Sequence, residues 1–226
     1  MGKKGFTLAE VLITLGIIGV VAAMTMPTLI TNVQNKIFYT RFMKARNMIE
    51  NALQMYNSEY DKISDTRSFT IEDAEDFASY FKGAKFINES NWQEECAGYN
   101  KKNVSLNYDG TRNDEGTNAN QMCHNSIIPL GLKTRDGMLI MFNQDLGYGN
   151  AGLVDTDGSN NGPNTMGRDI FAFDLYKEQR ELLCNSMWGP TKACAEEKGF
   201  TQECTETNKN GEYCGQRLIE EGKMAY

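Results

Sequence analysis

The sequence predicts an α+β protein, with a long N-terminal helix whose first half spans a membrane and a globular head that contains a small antiparallel sheet. Three observations predict this architecture. The chain has no charged residue from Val11 to Asn35. An apolar stripe with helical spacing then runs from Phe38 to Tyr60. Short apolar segments typical of β-strands follow in an acidic region that holds all six cysteines.

The composition narrows the classes of function. The chain has 226 residues and a formal net charge of −7, so it lacks the basic surface that nucleic-acid binding requires. It has one histidine, His124, and no GxSxG, HExxH or phosphate-binding glycine motif. We therefore expect no nucleic-acid partner, no enzymatic activity and no required cofactor.

The apolar run is long enough to be a membrane helix. Val11–Ile30 comprises 20 residues, which as a helix covers about 30 Å, the thickness of a bilayer core. A secretory signal peptide, the alternative, has an apolar core of only about 7–15 residues. Lys3 and Lys4 precede the run and predict a cytoplasmic N-terminus. Basic residues just beyond the run oppose that orientation.

The cysteines decide the orientation, because an even number of them, all after the run, indicates an oxidising compartment. They lack the close CxxC pairs of zinc sites, so we expect disulfides. Six cysteines allow fifteen pairings. We expect Cys96–Cys123, with the other four paired among themselves. The six cysteines are Cys96, Cys123, Cys184, Cys194, Cys204 and Cys214.

The helix continues beyond the apolar run. Apolar residues recur at steps of three and four and predict one gently kinked helix from Phe6 to about Tyr60, roughly 80 Å long. A helix of this length needs lipid or other copies to cover its first half. The stripe comprises Phe38, Phe42, Ala45, Ile49, Leu53, Tyr56 and Tyr60.

The head is predicted to mix helices and strands. The Thr70-Ile-Glu-Asp segment predicts the start of a helix that ends at Gly83. Loops and short strands are expected over residues 84–133, and a turn at Asp136-Gly137. Strands are predicted at Met138–Phe142, Ile170–Tyr176 and Lys223–Tyr226, and a short helix at Tyr213–Gly222.

The first residues of the chain form a motif that is similar to one in a known family. Gly5-Phe6-Thr7-Leu8-Ala9-Glu10, with a short basic leader, a long apolar run and Pro27, resembles the N-terminal signal of type IV pilins and type II secretion pseudopilins. The resemblance implies that prepilin peptidase cuts between Gly5 and Phe6 and N-methylates Phe6. The mature chain then has 221 residues and a formal net charge of −9, because Lys3 and Lys4 are removed.

The resemblance also implies an organisation of the chain and a fold that is pilin-like. Residues 1–5 are the leader, 6–30 the membrane-spanning and filament-core helix, 31–61 its amphipathic continuation, and 62–226 the disulfide-bearing periplasmic head. The chain is expected to cross the bacterial inner membrane once.

Glu10 and Pro27 have implied roles in assembly. A carboxylate at the edge of hydrocarbon is costly unless it is paired. In the family it pairs with the Phe6 ammonium of a neighbouring subunit and sets the axial register; pairing with Phe6 of its own chain is the alternative. Pro27, with two glycines before it, weakens the long N-terminal helix, which we call the spine, so that the spine can stretch.

The stretch from Asp155 to Asp169 resembles a DxxGxxxPNxxGxDxF loop of pilin-like proteins, and two interpretations are open. In the first, Asp155, Asp157, Asn160 and Asp169 bind calcium, as a head loop does in major pseudopilins. The EF-hand spacing is absent, however. In the second, the Asp and Asn side chains bond to the backbone of a tight turn.

The expected function is structural. The chain is interpreted as a type II secretion pseudopilin that assembles into a periplasmic pseudopilus with other subunits and an inner-membrane assembly platform. The alternative is a major, minor or competence type IV pilin of a surface pilus. A remoter alternative is a secreted binding protein whose signal peptide is removed near Met24.

Overall fold

The computed structural model describes residues 5–60, 71–88, 90–96, 130–145, 150–162, 164–175, 186–198, 204, 211 and 214–225. These residues form five helices and five strands. The helices are α1 (Leu8–Tyr60), α2 (Ile71–Ser79), α3 (Trp92–Glu95), α4 (Lys192–Lys198) and α5 (Cys214–Glu221). The strands are β1 (Lys85–Ile87), β2 (Leu130–Lys133), β3 (Leu139–Asp145), β4 (Asn150–Asp155) and β5 (Ile170–Phe173).

The predicted long helix is confirmed. α1 is one helix of 53 residues that continues through Pro27. It begins at Leu8, two residues later than expected, because Thr7 caps it. The apolar stripe of its second half is buried in the head, with Phe42, Ala45 and Ile49 fully shielded from solvent. α1 is thus both the membrane-like segment and a wall of the head core.

The five strands form one antiparallel sheet in the order β1-β2-β3-β4-β5, so every pair of neighbours is also consecutive in the chain. The register aligns Leu132 with Ile140, Ile140 with Val154, and Val154 with Phe171. This row belongs to the main core cluster, which also contains the α1 stripe. Sheet and spine therefore share one core.

The opposite face of the sheet has its own smaller cluster. Alternate residues such as Leu139, Met141 and Leu153 point to this side, as the period of two in a strand requires. They pack with Cys96 beside α3 and with Met166 of the loop that joins β4 to β5. The sheet is therefore apolar on both faces.

Most of the predicted head elements are confirmed. α2 begins where the Thr70 signal indicates but ends at Ser79, four residues before the predicted end at Gly83, which has a positive φ of 74° in the turn that follows. β3, β5 and α5 match the predicted segments, and Gly137 has a φ of 90° in the β2–β3 turn. β4 and α4 were not predicted, and α3 is a helix in a region where only loops and short strands were expected.

The predicted last strand is wrong. The residues from Gly222 to Ala225 are not in a strand. Gly222 ends α5 with a φ of 66°, which turns the chain. Met224 is buried in the main core cluster, so its apolar character serves packing rather than strand pairing.

One disulfide lies within the described residues. Cys204 and Cys214 are bonded, with their Cα atoms 5.3 Å apart, so this pair fits the expected pairing among the last four cysteines. Cys96 and Cys194 each take part in a disulfide whose partner is outside the described residues. Cys123 and Cys184 lie outside the described residues, and the Cys96–Cys123 pairing stays a prediction.

Candidate processing and assembly site

The start of α1 is held by a reciprocal pair of side chains. The backbone N–H and the hydroxyl of Thr7 both donate to Oε2 of Glu10, each at 2.8 Å. In return the backbone N–H of Glu10 donates to Thr7 Oγ1 at 3.3 Å. This is a capping box, the T-x-x-E arrangement that satisfies free N–H groups in the first turn of a helix.

The cap fixes where the helix begins and so separates it from the cleavage segment that precedes it. Gly5 and Phe6 precede Thr7, are not helical and are exposed, with Phe6 at 89% of its maximal accessibility. The bond between them, where cleavage is predicted, is therefore outside the hydrogen-bonded part of the helix.

Glu10 bonds to a partner other than the predicted one. The prediction is a pair with the Phe6 ammonium, either of a neighbour or of the same chain. In the uncut chain Phe6 has a peptide nitrogen, and the carboxylate bonds to Thr7. The spacing of Thr7 and Glu10 is the signal that could have revealed this partner. Pairing with a neighbouring amine stays a prediction for the processed chain.

The first half of α1 is apolar and exposed. α1 is long and apolar enough to cross a membrane, and none of its most apolar stretch is buried. The side chains from Leu12 to Ile30 present their apolar surface outward, with Ile18 and Leu29 each 64% exposed. An uncovered apolar surface of this extent requires lipid or protein around it.

Threonines in this segment are bonded to the helix itself. Thr14 Oγ1 donates to the carbonyl of Glu10 at 2.9 Å, and Thr25 Oγ1 to that of Val21 at 3.0 Å. Thr31 Oγ1 donates to the carbonyl of Pro27 at 3.0 Å. These bonds satisfy hydroxyl groups that lipid could not satisfy.

The comparison with protein families concerns these residues. The family model for the prokaryotic N-terminal methylation motif matches residues 1–26. The chain carries a prepilin-type signal. This match includes Gly5, Phe6 and Glu10 and supports a type IV pilin-like or pseudopilin subunit, which prepilin peptidase processes and which assembles with other subunits. No curated protein and no solved structure matches the chain.

The head is attached to α1 by ion pairs. Arg41 on α1 pairs with the buried carboxylate of Asp157, at 2.5 Å between Nη1 and Oδ2. Lys44, one turn further along, pairs with Asp136 in the β2–β3 turn. Asp157 and Asp136 are about a hundred residues from these partners in the chain, and no local sequence signal indicates either contact.

A third polar contact lies nearer the end of α1. Glu50 Oε1 accepts from Trp188 Nε1 at 3.0 Å and from Arg46 Nε at 2.9 Å. Trp188 is almost fully buried against Phe42 and Phe173. The indole therefore connects the spine to the segment that precedes α4.

The Asp155–Asp169 loop is organised by its own carboxylates. Asp155 Oδ1 accepts from the backbone N–H groups of Asp157 and Gly158, at 3.1 and 2.8 Å. Asp169 accepts from Asn164 and Thr165 through its two oxygens, both at 2.6 Å. These bonds favour the tight-turn interpretation.

Backbone conformation in this loop needs glycine at one point. Gly158 has a φ of 86°, and a Cβ there would lie 2.3 Å from the carbonyl oxygen of Gly137. The loop therefore lies directly on the β2–β3 turn, so the partners of Arg41 and Lys44 are side by side.

Burial controls the charges of this loop. Burial, together with the nearby charge of Asp157, raises the pKa of Asp169 to about 7, although backbone hydrogen bonds from Thr165 and Asn164 oppose the rise. Burial also raises the pKa of Asp157, although Arg41 opposes the rise. The loop thus holds three buried carboxyl groups, one of which pairs with Arg41.

Several of the oxygens that the calcium interpretation requires already accept backbone hydrogen bonds, at Asp155 and Asp169. No group of three or more His, Cys, Asp or Glu side chains in the described part of the chain is placed to hold a metal ion. Asn160 is exposed. Asp157 Oδ1 and Thr156 Oγ1 are buried oxygens with no hydrogen-bond partner among the described residues. Calcium at Asp155, Asp157, Asn160 and Asp169 stays a prediction.

Proposed function

We propose that the chain is a structural subunit of a pilus-like filament, and specifically a type II secretion pseudopilin that forms a periplasmic pseudopilus. The observation that carries the proposal is the exposed apolar first half of α1, which directly follows the prepilin-type signal. Cleavage converts this segment into a free spine that either lipid or other subunits can cover.

The processed N-terminus supplies the chemistry of assembly. Cleavage leaves an ammonium on Phe6 beside the membrane edge, four residues from Glu10. A subunit that enters the filament brings its amine to the Glu10 carboxylate of a neighbour. Two charges that are costly when buried alone become tolerable together, so the pairing fixes the axial position of each new subunit.

The rest of the molecule fits a passive load-bearing role. α1 contributes to the main core of the head and is tied to it by Arg41–Asp157, Lys44–Asp136 and Glu50–Trp188. A pull on the spine is therefore transmitted to the head through packing and through three polar contacts. We propose that the head provides the outer surface of the filament.

A deletion experiment tests the proposed system. In cells that lack the gene, a pseudopilin predicts that secreted proteins accumulate in the periplasm while surface pili are unchanged. Loss of surface pili with normal secretion would instead identify a type IV pilin. The gene neighbourhood gives a second criterion, since a secretion ATPase and secretin accompany a pseudopilin and a retraction ATPase accompanies a type IV pilin.

A further inference from the structure

We propose that Thr7 is a positioning residue for leader cleavage, because its cap on α1 keeps the Gly5–Phe6 bond outside the helix. This inference rests on the proposed function, since it concerns how prepilin peptidase receives the chain. Neither the motif nor the resemblance assigns a role to this threonine.

The geometry places the cap next to the bond that is cut. Thr7 accepts the N–H of Glu10 on its hydroxyl oxygen, while its own N–H and hydroxyl donate to the Glu10 carboxylate. The first hydrogen bond of the helix follows at once, from the N–H of Val11 to the carbonyl of Thr7 at 3.2 Å. Phe6 and Gly5 therefore lie one and two residues before the cap.

Cleavage needs that arrangement. Hydrolysis adds water across the Gly5–Phe6 peptide bond and leaves a carboxylate on Gly5 and an ammonium on Phe6. The attacked carbonyl must be reachable from one side and its amide nitrogen must be free to take a proton. A peptide inside a helix has both groups bonded and is screened by side chains. An N-cap residue has non-helical φ and ψ, so the chain before it turns away from the helix.

Loss of the cap would let the helix grow backwards. Without a side-chain oxygen at position 7, the free N–H groups of the first turn lose their acceptor, and an added turn through Phe6 offers backbone carbonyls instead. The scissile bond then spends part of its time in helix. The glycine at position 5 limits this growth, so cleavage slows rather than stops.

The two halves of the capping box have separable roles. Removal of the Glu10 carboxylate leaves the Thr7 hydroxyl oxygen able to accept the N–H at position 10. The helix start is then retained, and cleavage continues. Thr7 therefore serves processing, whereas Glu10 serves assembly.

Cleavage rates of the full-length precursor test the proposal. The precursor is mixed with membranes that contain prepilin peptidase, and leader removal is followed by intact mass for the wild type and for Thr7→Ser, Thr7→Asn, Thr7→Ala and Thr7→Val. Ser and Asn are good N-caps and should be cut at the wild-type rate. Ala and Val cannot accept the hydrogen bond and should be cut about fivefold more slowly.

These variants distinguish two explanations for an effect of Thr7: that it caps the helix, or that prepilin peptidase recognises the threonine side chain directly. Valine has nearly the shape of threonine but cannot cap, and asparagine caps without that shape. Thr14→Val is the matched control, because it removes another threonine hydroxyl of α1 that bonds within the helix. It should be cut normally.

Two outcomes would overturn the inference. Wild-type cleavage of Thr7→Val shows that the cap is irrelevant, and slow cleavage of Thr7→Asn shows that the enzyme reads the threonine itself. If the wild-type precursor is not cut at Gly5–Phe6 at all, the proposed function fails, which is a distinct result.

Discussion

At the scale of single residues, Glu10 is the side chain to which we attribute the register of assembly. Its carboxylate lies near the start of an uncharged apolar segment and is held by Thr7 in the uncut chain. After cleavage, the carboxylate can give up its bonds to Thr7 and bind the amine of a neighbouring subunit, with the loss of few hydrogen bonds. The capping box therefore holds Glu10 until a subunit arrives.

The Glu10→Ala variant should be cleaved and inserted normally but should form few or no filaments, because the charge pair with the incoming amine is lost. Intact mass reports cleavage and electron microscopy reports filaments. Gln34→Ala, another exposed polar position on α1, should assemble normally. Normal filaments from Glu10→Ala would show that the register role is wrong.

Glu95 is the residue that most clearly stabilises the head by charge. Lys85 and Lys133 face each other across β1 and β2, and Glu95 bonds to both, at 2.6 and 2.7 Å. The hydrogen bonds from Lys133 and Lys85 lower the pKa of Glu95 below its usual 4.5. Without the carboxylate, two like charges would stand opposite each other, which is unfavourable.

Glu95→Gln should lower the free energy of unfolding of the head by roughly 1–3 kcal/mol, measured by urea denaturation at pH 7. Because the folded pKa is lowered, the contribution of Glu95 is present above pH 4.5 and is lost as pH falls through the lower folded value. Glu94→Gln, at the exposed neighbouring position, is the control and should change little. Equal stability of the two variants would contradict this role.

At the scale of elements, the contact between α1 and the turns of the sheet determines how the spine is attached. Asp157 is buried and forms an ion pair with Arg41. Arg41 is partly exposed, so solvent weakens the pair from its own side. The cost of losing it comes mainly from the buried carboxylate that remains.

Arg41→Ala should therefore reduce the stability of the head by roughly 1–3 kcal/mol. Lys36→Ala removes an exposed positive charge from the same helix and should have almost no effect. Thermal unfolding in detergent compares the two variants. If Lys36→Ala is as destabilising as Arg41→Ala, general charge rather than the Asp157 contact is responsible.

The loop between β4 and β5 should respond to pH in the direction opposite to Glu95. The pKa of Asp169 is raised from 3.8 to about 7, so the folded head binds more protons than the unfolded chain between these values. Stability then falls as pH rises through this range and stays low above pH 7. The melting temperature should be higher at pH 5.5 than at pH 8 when a chelator is present.

Calcium would change that result. If calcium binds Asp155, Asp157, Asn160 and Asp169, millimolar calcium at pH 8 should raise the melting temperature by several degrees, since a ligand that binds only the folded state stabilises it. The backbone bonds of Asp155 and Asp169 favour no shift. A clear shift would establish the calcium interpretation and refute the tight turn as the complete explanation.

The elements that sequence could predict are those with a local signal. The period of α1, the turn at Gly137 and the apolar strand at Leu139 are each visible within a few residues. β4 was missed because its Asn-Ala-Gly start has no strand preference and its burial comes from β3 and β5. The last strand was predicted wrongly because Met224 is apolar for packing reasons alone.

The same division applies to the candidate site. Gly5, Phe6 and Glu10 could be recognised because a leader, a spacing and an apolar run lie together in the chain. Arg41 and Asp157 are 116 residues apart in the chain, and a single sequence holds no signal that they are in contact. Thr7 is an intermediate case, since its T-x-x-E spacing with Glu10 is a local signal for the cap but does not by itself indicate a role in cleavage.

At the scale of the whole molecule, the chain consists of two parts with opposite surfaces. The first half of α1 exposes apolar side chains of the kind that a soluble protein would bury. The acidic head instead buries its apolar side chains in clusters on both faces of the sheet. A cut that removes two lysines and creates an amine at Phe6 would convert this membrane-bound precursor into a subunit that can pack against copies of itself.

The mass of the mature protein from its native host tests the central claim most directly. The account predicts a chain of 221 residues that begins at Phe6, carries one methyl group on its terminal nitrogen and retains its disulfides. A protein that keeps residues 1–5, or that begins near Met24 after removal of a signal peptide, would contradict it.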